Sequence, residues 1–403
     1  MIYIIFNPLL IFSLSLLLSL LSTYLGWSDL FDKVGSETIN IYLVSSLFGI
    51  IVGLGCQHKI SKILKNESEK ILCSFKYSRN DKYLVILIFT FFIAEYVYSG
   101  FLPIFVGNYD NLLEMSFGLP LIHGLYLSFI SYISIVYFQK YQYCRRYRVK
   151  NNYLLYVFLF NLLFLLLARR GTIVFNVICY FFIFAYYYIS SGKSLKKLVG
   201  VSLLFAALFL FGFNYVGNVR LGKDSTDYIL DVGKASSEFK DSYIPKPFFF
   251  GYLYISTPVN IFDVNRNNHD ETLNTFLLNN IIPDFLTKRI GFNNEIEVVK
   301  VNGFNVGGIF LESYMYKGIL GVVLIFLYYI CLYLWVLYFL TRASPRALVG
   351  LVIFLSISLL LSFQNLLNAS GYILQFYYAL FFITLSRLNY GSRKLLPIRK
   401  NYD

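Results

Sequence analysis

Charge is the scarcest thing in this chain. Only 14% of its 403 residues are Asp, Glu, Lys or Arg, where a soluble protein carries about a quarter. That shortage excludes an ordinary water-soluble domain. Histidine, methionine, tryptophan and cysteine are also few, at three, three, two and five. Cys179 and Cys331 fall inside apolar runs, and Cys56, Cys73 and Cys144 lie in or beside basic connectors. That distribution excludes a disulfide framework and a thiolate metal site. The sequence has no H-E-x-x-H, no paired C-x-x-C and no G-x-S-x-G, so neither zinc nor serine-hydrolase chemistry is supported, and no metal or cofactor is expected. Internal repeats and low-complexity linkers are missing too.

What remains is apolar. Hydrophobic residues make up 57% and aromatics 20%, and the mean hydropathy is +0.61. The apolar residues come in blocks close to the ~20 that a bilayer core demands of a helix, without the alternation of a membrane barrel. The pattern predicts an all-α, polytopic membrane protein, a single transmembrane domain over 1–403 with about ten spans: 2–22, 39–55, 83–102, 117–138, 152–168, 172–190, 198–216, 318–340, 347–366 and 371–388. "MIYIIFNPLL" has no basic region and no small-residue cleavage site, so the first span reads as a retained helix.

Basic residues orient the bundle. Segments 56–82, 139–151, 191–197, 341–346 and 387–403 hold 22 of the 35 Lys and Arg, whereas 23–38, 103–116 and 367–370 hold only Lys33. The positive-inside rule then puts both termini in the cytoplasm. The net charge of +13 is therefore mostly topology. It implies contact with anionic membrane lipids and no nucleic-acid partner. On this topology residues 217–305 form one large extracytoplasmic loop between spans seven and eight, long enough to imply a function or a fold of its own. Within it "PFFFGYLYISTPVNIF" (247–262) is short for a span and reads as an interfacial helix, with a re-entrant segment or the core of a small subdomain as alternatives.

A few charges stand where the pattern does not ask for them. "ARRGTIVF" (168–175) puts Arg169 and Arg170 in a tight external hairpin of about three residues. Lipid snorkelling accounts for one reading of that pair; the other is anion binding, because guanidinium grips phosphate through paired hydrogen bonds. Glu95, in "FFIAEYVYSGFLP", is a lone carboxylate within the third span, a costly placement that implies an ion-pair partner or a role as base. Arg220 lies at the mouth of the seventh span, and Glu312 enters the eighth with Lys317 beyond it. The loop adds Arg266, His269 and Arg289 as possible ligand contacts, and His123 reads as a core histidine with its bonds satisfied. "GIIVG" (49–53) reads as a helix-packing motif. "GNVRLGKD" (217–224) begins like a phosphate-binding loop, but Asp224 stands where Ser or Thr belongs and no strand precedes it. Outer arginines, one or two intramembrane carboxylates and abundant tyrosine suit an anionic headgroup on a lipid tail, with sugar-like material held on Tyr and Asn.

The order of these landmarks is familiar. The pattern E-x-x-Y-S-G-x-x-P (Glu95, Tyr98, Ser99, Gly100, Pro103), the RRG turn, "GNVR" after span seven, "GYLYISTP" in the loop and "ESYMYKGILGV" entering the next span resemble the bacterial O-antigen (oligosaccharide repeat-unit) polymerase family over about residues 80–330. The chain departs from the paired R-x10-G loop signatures of some members, with Phe181 and Asp231 where glycine would stand. The resemblance implies a membrane glycosyltransferase of GT-C-like architecture in the bacterial inner membrane, working at the periplasmic face without metal or cofactor. Such an enzyme moves a growing glycan from undecaprenyl diphosphate to the non-reducing end of a lipid-linked repeat unit, and a polysaccharide chain-length regulator is a further possible partner. Arg170 or Arg169, with Arg220, would hold the diphosphate; Glu95 or Glu312 would serve as base or orient an arginine. An O-antigen ligase, which would use a loop histidine such as His269, and a lipid-linked oligosaccharide flippase or another transporter are the rival readings.

Overall fold

The computed structural model describes residues 3–70, 79–106, 117–120, 122–194, 196–200, 202, 228–266, 273–290, 298, 299, 301, 304, 306–341 and 347–391. Among these the regular elements are all helices; no strand forms, only isolated bridges such as Ser28 with Ala235. Besides two short 3-10 turns, Ile4–Phe6 and Pro103–Phe105, the α-helices in chain order are α1 (Pro8–Thr23), α2 (Ser36–Lys70), α3 (Arg79–Ser99), α4 (Ile122–Arg146), α5 (Tyr153–Leu166), α6 (Arg170–Ser190), α7 (Tyr228–Val232), α8 (Ser237–Lys240), α9 (Pro247–Asn265), α10 (Leu273–Asn280), α11 (Asp284–Ile290), α12 (Gly308–Thr341), α13 (Ala347–Leu360) and α14 (Ser370–Gly391).

Five of them, α2, α3, α4, α6 and α12, are long and apolar enough to cross a membrane. They contain the second, sixth and eighth predicted spans whole; α3 stops at Ser99, short of the end of the third, and α4 starts at Ile122, five residues into the fourth. Shorter apolar helices, α1, α5, α13 and α14, occupy the first, fifth, ninth and tenth. Nearly all of the seventh lies outside the described residues. The long helices also expose grease as a lipid-facing surface requires: Val44, Leu47, Phe48, Ile51 and Leu54 form one i, i+3, i+4 stripe on α2, each at least 47% exposed.

The chain divides into two compact units. The first comprises Met1–Gln57, Ala185–Tyr333 and Leu355–Ile373. Here α1 starts on Pro8 behind Asn7, whose side chain caps Leu10 N–H and donates to Gly53 O at 2.8 Å. The GIIVG motif does pack helices. A Cβ on Gly49 would run into Ser13 Oγ, and one on Gly53 would stand 2.8 Å from Leu10, so the two glycines let α2 close against α1. The run at 247–262 becomes α9, which extends through Pro258 to Asn265 and packs along α1. Both halves of α9 are held from the connector between α1 and α2. Trp27 lies against Tyr252 at 5.3 Å, and Asp263 accepts from Gly35 N–H at 3.2 Å and Thr38 Oγ1 at 2.5 Å.

The second unit comprises His58–Phe184, Leu334–Phe354 and Leu374–Asp403. Small polar side chains join α4 to α6: Ser131 bonds Asn176, and Ser134 meets Tyr180 OH at 2.6 Å. Residue numbers rise together across those two bonds, so α4 and α6 run parallel. Pairs between α3 and α4 run the other way, Tyr126 OH donating to Ile88 O at 2.7 Å and Lys140 meeting Asp81 at 2.8 Å. The unit therefore has two ends, one formed by the starts of α4 and α6 and the end of α3, the other by the opposite termini.

Candidate functional site at one end of the second unit

The hairpin joining α5 to α6 is built two residues earlier than its sequence suggests. α5 ends at Leu166, and the three-residue turn is Leu167–Arg169; Arg170 and Gly171 open α6. The turn closes with Ala168 N–H on Leu165 O at 3.0 Å and Arg169 N–H on Phe164 O at 2.9 Å. These are the paired bonds of a helix C-terminal cap that asks for a left-handed residue, here Ala168 at φ +55°. Gly171 looks like the turn glycine, but the helix hydrogen-bonding needs recruit Ala168 instead. As a result Arg169 is exposed on the turn and Arg170 is half-buried at the N-terminus of α6, where the helix's free N–H groups favour an anion.

Glu95, fully buried on α3, has a partner that the sequence concealed. His123 Nδ1 lies 3.1 and 3.0 Å from its two carboxylate oxygens, and Leu119 N–H donates to Oε1 at 3.3 Å. Ser99 Oγ accepts from Gly118 N–H at 2.8 Å, fixing the backbone above the pair. Phe117 covers the imidazole edge-on at 5.5 Å. Nδ1 is thus satisfied, as a core histidine would be, but Nε2 has no bond to any described residue.

The helix register brings these groups to one end. His123 lies eight residues before Ser131, and Arg170 six before Asn176, so they rise about 12 and 9 Å along parallel helices from one shared bond. At the opposite end Asp81 accepts two hydrogen bonds from Lys140, at 2.8 and 2.9 Å, and one from the Tyr153 hydroxyl at 2.8 Å. The rings of Tyr137 and Tyr153 flank the ammonium at 5.1 and 5.2 Å. No sequence motif announces that clasp, although Asp81 and Lys140 both stand in segments, 56–82 and 139–151, that the charge pattern puts on one side of the membrane.

The remaining candidates fall in the first unit or beyond the described residues. Arg266 pairs with Glu37 at 3.5 Å and Asp263 at 3.9 Å, and Tyr314 OH donates to Glu37 at 3.1 Å. Arg266 is therefore a link between α9 and α2 more than a free cation. Glu312, on α12, makes no hydrogen bond or ion pair with a described residue. Arg220 and His269 lie outside the described residues; Arg289 falls on α11 with its side chain outside them. Several loop asparagines are spent on structure: Asn280 accepts from Ser313 Oγ at 2.9 Å, and Asn365 and Asn368 donate to the Asn280 and Asn279 carbonyls. Among the described residues no group of three His, Cys, Asp or Glu could hold a metal ion.

Compared with protein-family models, curated proteins and solved structures, the chain matches none.

Proposed function

We propose that the protein is a multi-pass glycosyltransferase of the O-antigen polymerase type, with ten spans, GT-C-like architecture and both termini cytoplasmic. It would transfer a glycan from undecaprenyl diphosphate to a lipid-linked repeat unit at the periplasmic face of the bacterial inner membrane. The observation that carries this reading is the placement of Arg169 and Arg170 at the same end of one unit as His123 and the buried Glu95 it pairs with. Glycosyl transfer from a lipid diphosphate needs those two chemistries. A cationic group steadies the charge that develops on the departing diphosphate, and a base takes the acceptor hydroxyl proton. The acceptor oxygen bonds to the anomeric carbon as the C–O bond to phosphate breaks, and the diphosphate leaves with the electron pair. Arg220 stays a candidate for holding the diphosphate only as the resemblance implies, and on this reading α9 would be the interfacial helix, both its halves tied to the connector that follows α1.

The experiment is a lipopolysaccharide gel from a strain lacking the gene, complemented with wild type or with Arg170→Ala. Core carrying a single repeat unit in the deletion, a full ladder with wild type and loss of most of that ladder with Arg170→Ala are the expected results. Bare core without any repeat would point to a ligase or a flippase instead, and the polymerase reading would fall.

A further inference from the structure

We infer that His123, and neither Glu95 nor Glu312, is the group that takes the proton from the acceptor hydroxyl, and that Glu95 is its positioning residue. The inference rests on the glycosyl-transfer reading and deepens it. A carboxylate sunk to 0% exposure, with one oxygen already accepting from Leu119 N–H and both facing a single imidazole nitrogen, has no edge to offer a sugar. An ionised carboxylate can bond Nδ1 only if Nδ1 carries the proton, so in the neutral imidazole, the form a base must start from, Nε2 is the acceptor. It is also the nitrogen without a bond to any described residue, on a side chain 12% exposed. The arrangement is that of a carboxylate holding a histidine in one tautomer and stabilising the imidazolium once it forms.

Glu312 lacks such an environment: no described residue makes a hydrogen bond or ion pair that would orient it. In the step itself the acceptor O–H proton passes to Nε2 as its oxygen bonds to the anomeric carbon. The bond from that carbon to the phosphate oxygen breaks, and the polyprenyl diphosphate departs with the electron pair beside the RRG turn. The imidazolium, held by Glu95, returns its proton to water before the next turnover.

The test uses the purified full-length protein in proteoliposomes, with undecaprenyl-diphosphate-linked single repeat unit from the deletion strain as donor and acceptor. In His123→Asn the amide nitrogen overlies Nδ1 and keeps the bond to Glu95, but nothing replaces Nε2. The expected result is a kcat lowered by about 100-fold or more, KM within about threefold and an unfolding midpoint near wild type, together with loss of the acid limb of the wild-type pH–rate profile. A His123→Asn protein that turns over at the wild-type rate overturns the inference. Should that variant fail to fold, Glu95→Gln keeps an acceptor for Nδ1 while removing the charge; a kcat drop of at least ~10-fold at unchanged KM supports the inference, and full activity overturns it. Wild-type protein that forms no product at all sinks the parent reading rather than the assignment of the base.

Discussion

At the scale of single residues, the Glu95–His123 pair depends on a neighbouring glycine. Gly118 has φ +88°, and a Cβ there would run into His123 Nδ1 and stand 2.9 Å from Glu95 Oε1. Gly118→Ala therefore meets both backbone strain and a clash, for a cost of about 2–3 kcal/mol, and displaces the imidazole. Gly100 is the control: its φ is +74° but no atom lies within 4 Å of the added carbon, so Gly100→Ala meets only the left-handed penalty of about 1–2 kcal/mol. Thermal unfolding in detergent should rank Gly118→Ala as the less stable of the two, and equal midpoints would contradict the geometry. The sequence was informative here up to a point. A carboxylate in an apolar run announces that it needs a partner, and His123 is the one histidine inside a predicted span. The pairing itself spans 28 positions and depends on how α3 and α4 pack, which no local pattern encodes.

At the scale of elements, hydropathy locates the apolar helices well, because burial in lipid and helical hydrogen bonding impose the same length on the chain. It locates their ends and interruptions poorly. α12 begins ten residues before the predicted eighth span, and it is interrupted at Lys317 and Gly318, where Gly318 adopts φ +56° and ψ −143°. That backbone region is essentially confined to glycine. Past the break the chain comes back close to the preceding helix, and a Cβ on Gly321 would run into Ser313 O, 2.8 Å from its carbonyl carbon. "YMYKGILG" thus contains a break that a composition window averages away. Gly321→Ala should lose about 2–3 kcal/mol, read as a lowered unfolding midpoint; a midpoint unchanged from wild type would mean that the kink closes less tightly. The same limit explains the RRG turn. Its charges were legible, but the cap at Ala168 is decided by which carbonyls α5 leaves unbonded.

At the scale of the whole molecule, charge asymmetry predicts topology. Twenty-two of 35 basic residues fall on alternate connectors, so the 217–305 loop should face outward and the α4–α5 connector inward. Two exposed positions test this in a variant whose five cysteines are replaced: Tyr243, which is 106% exposed beyond α8, and Arg148, which is exposed between α4 and α5. A membrane-impermeant maleimide should label Tyr243→Cys in intact spheroplasts and Arg148→Cys only after permeabilisation. The reverse pattern would turn the RRG turn and the Glu95–His123 pair to the cytoplasm, away from any periplasmic glycan.

The central claim is that an arginine turn and a histidine paired with a buried carboxylate, at one end of a helical unit, carry out glycosyl transfer from a lipid diphosphate. Its most direct measurement is product formation by the purified protein in proteoliposomes supplied only with undecaprenyl-diphosphate-linked single repeat unit. Growth of multi-repeat glycans with matched release of undecaprenyl diphosphate, lost by about 100-fold or more when Arg169 and Arg170 are both replaced by alanine, is the predicted result. Release without elongation, or elongation that survives the double replacement, would contradict it.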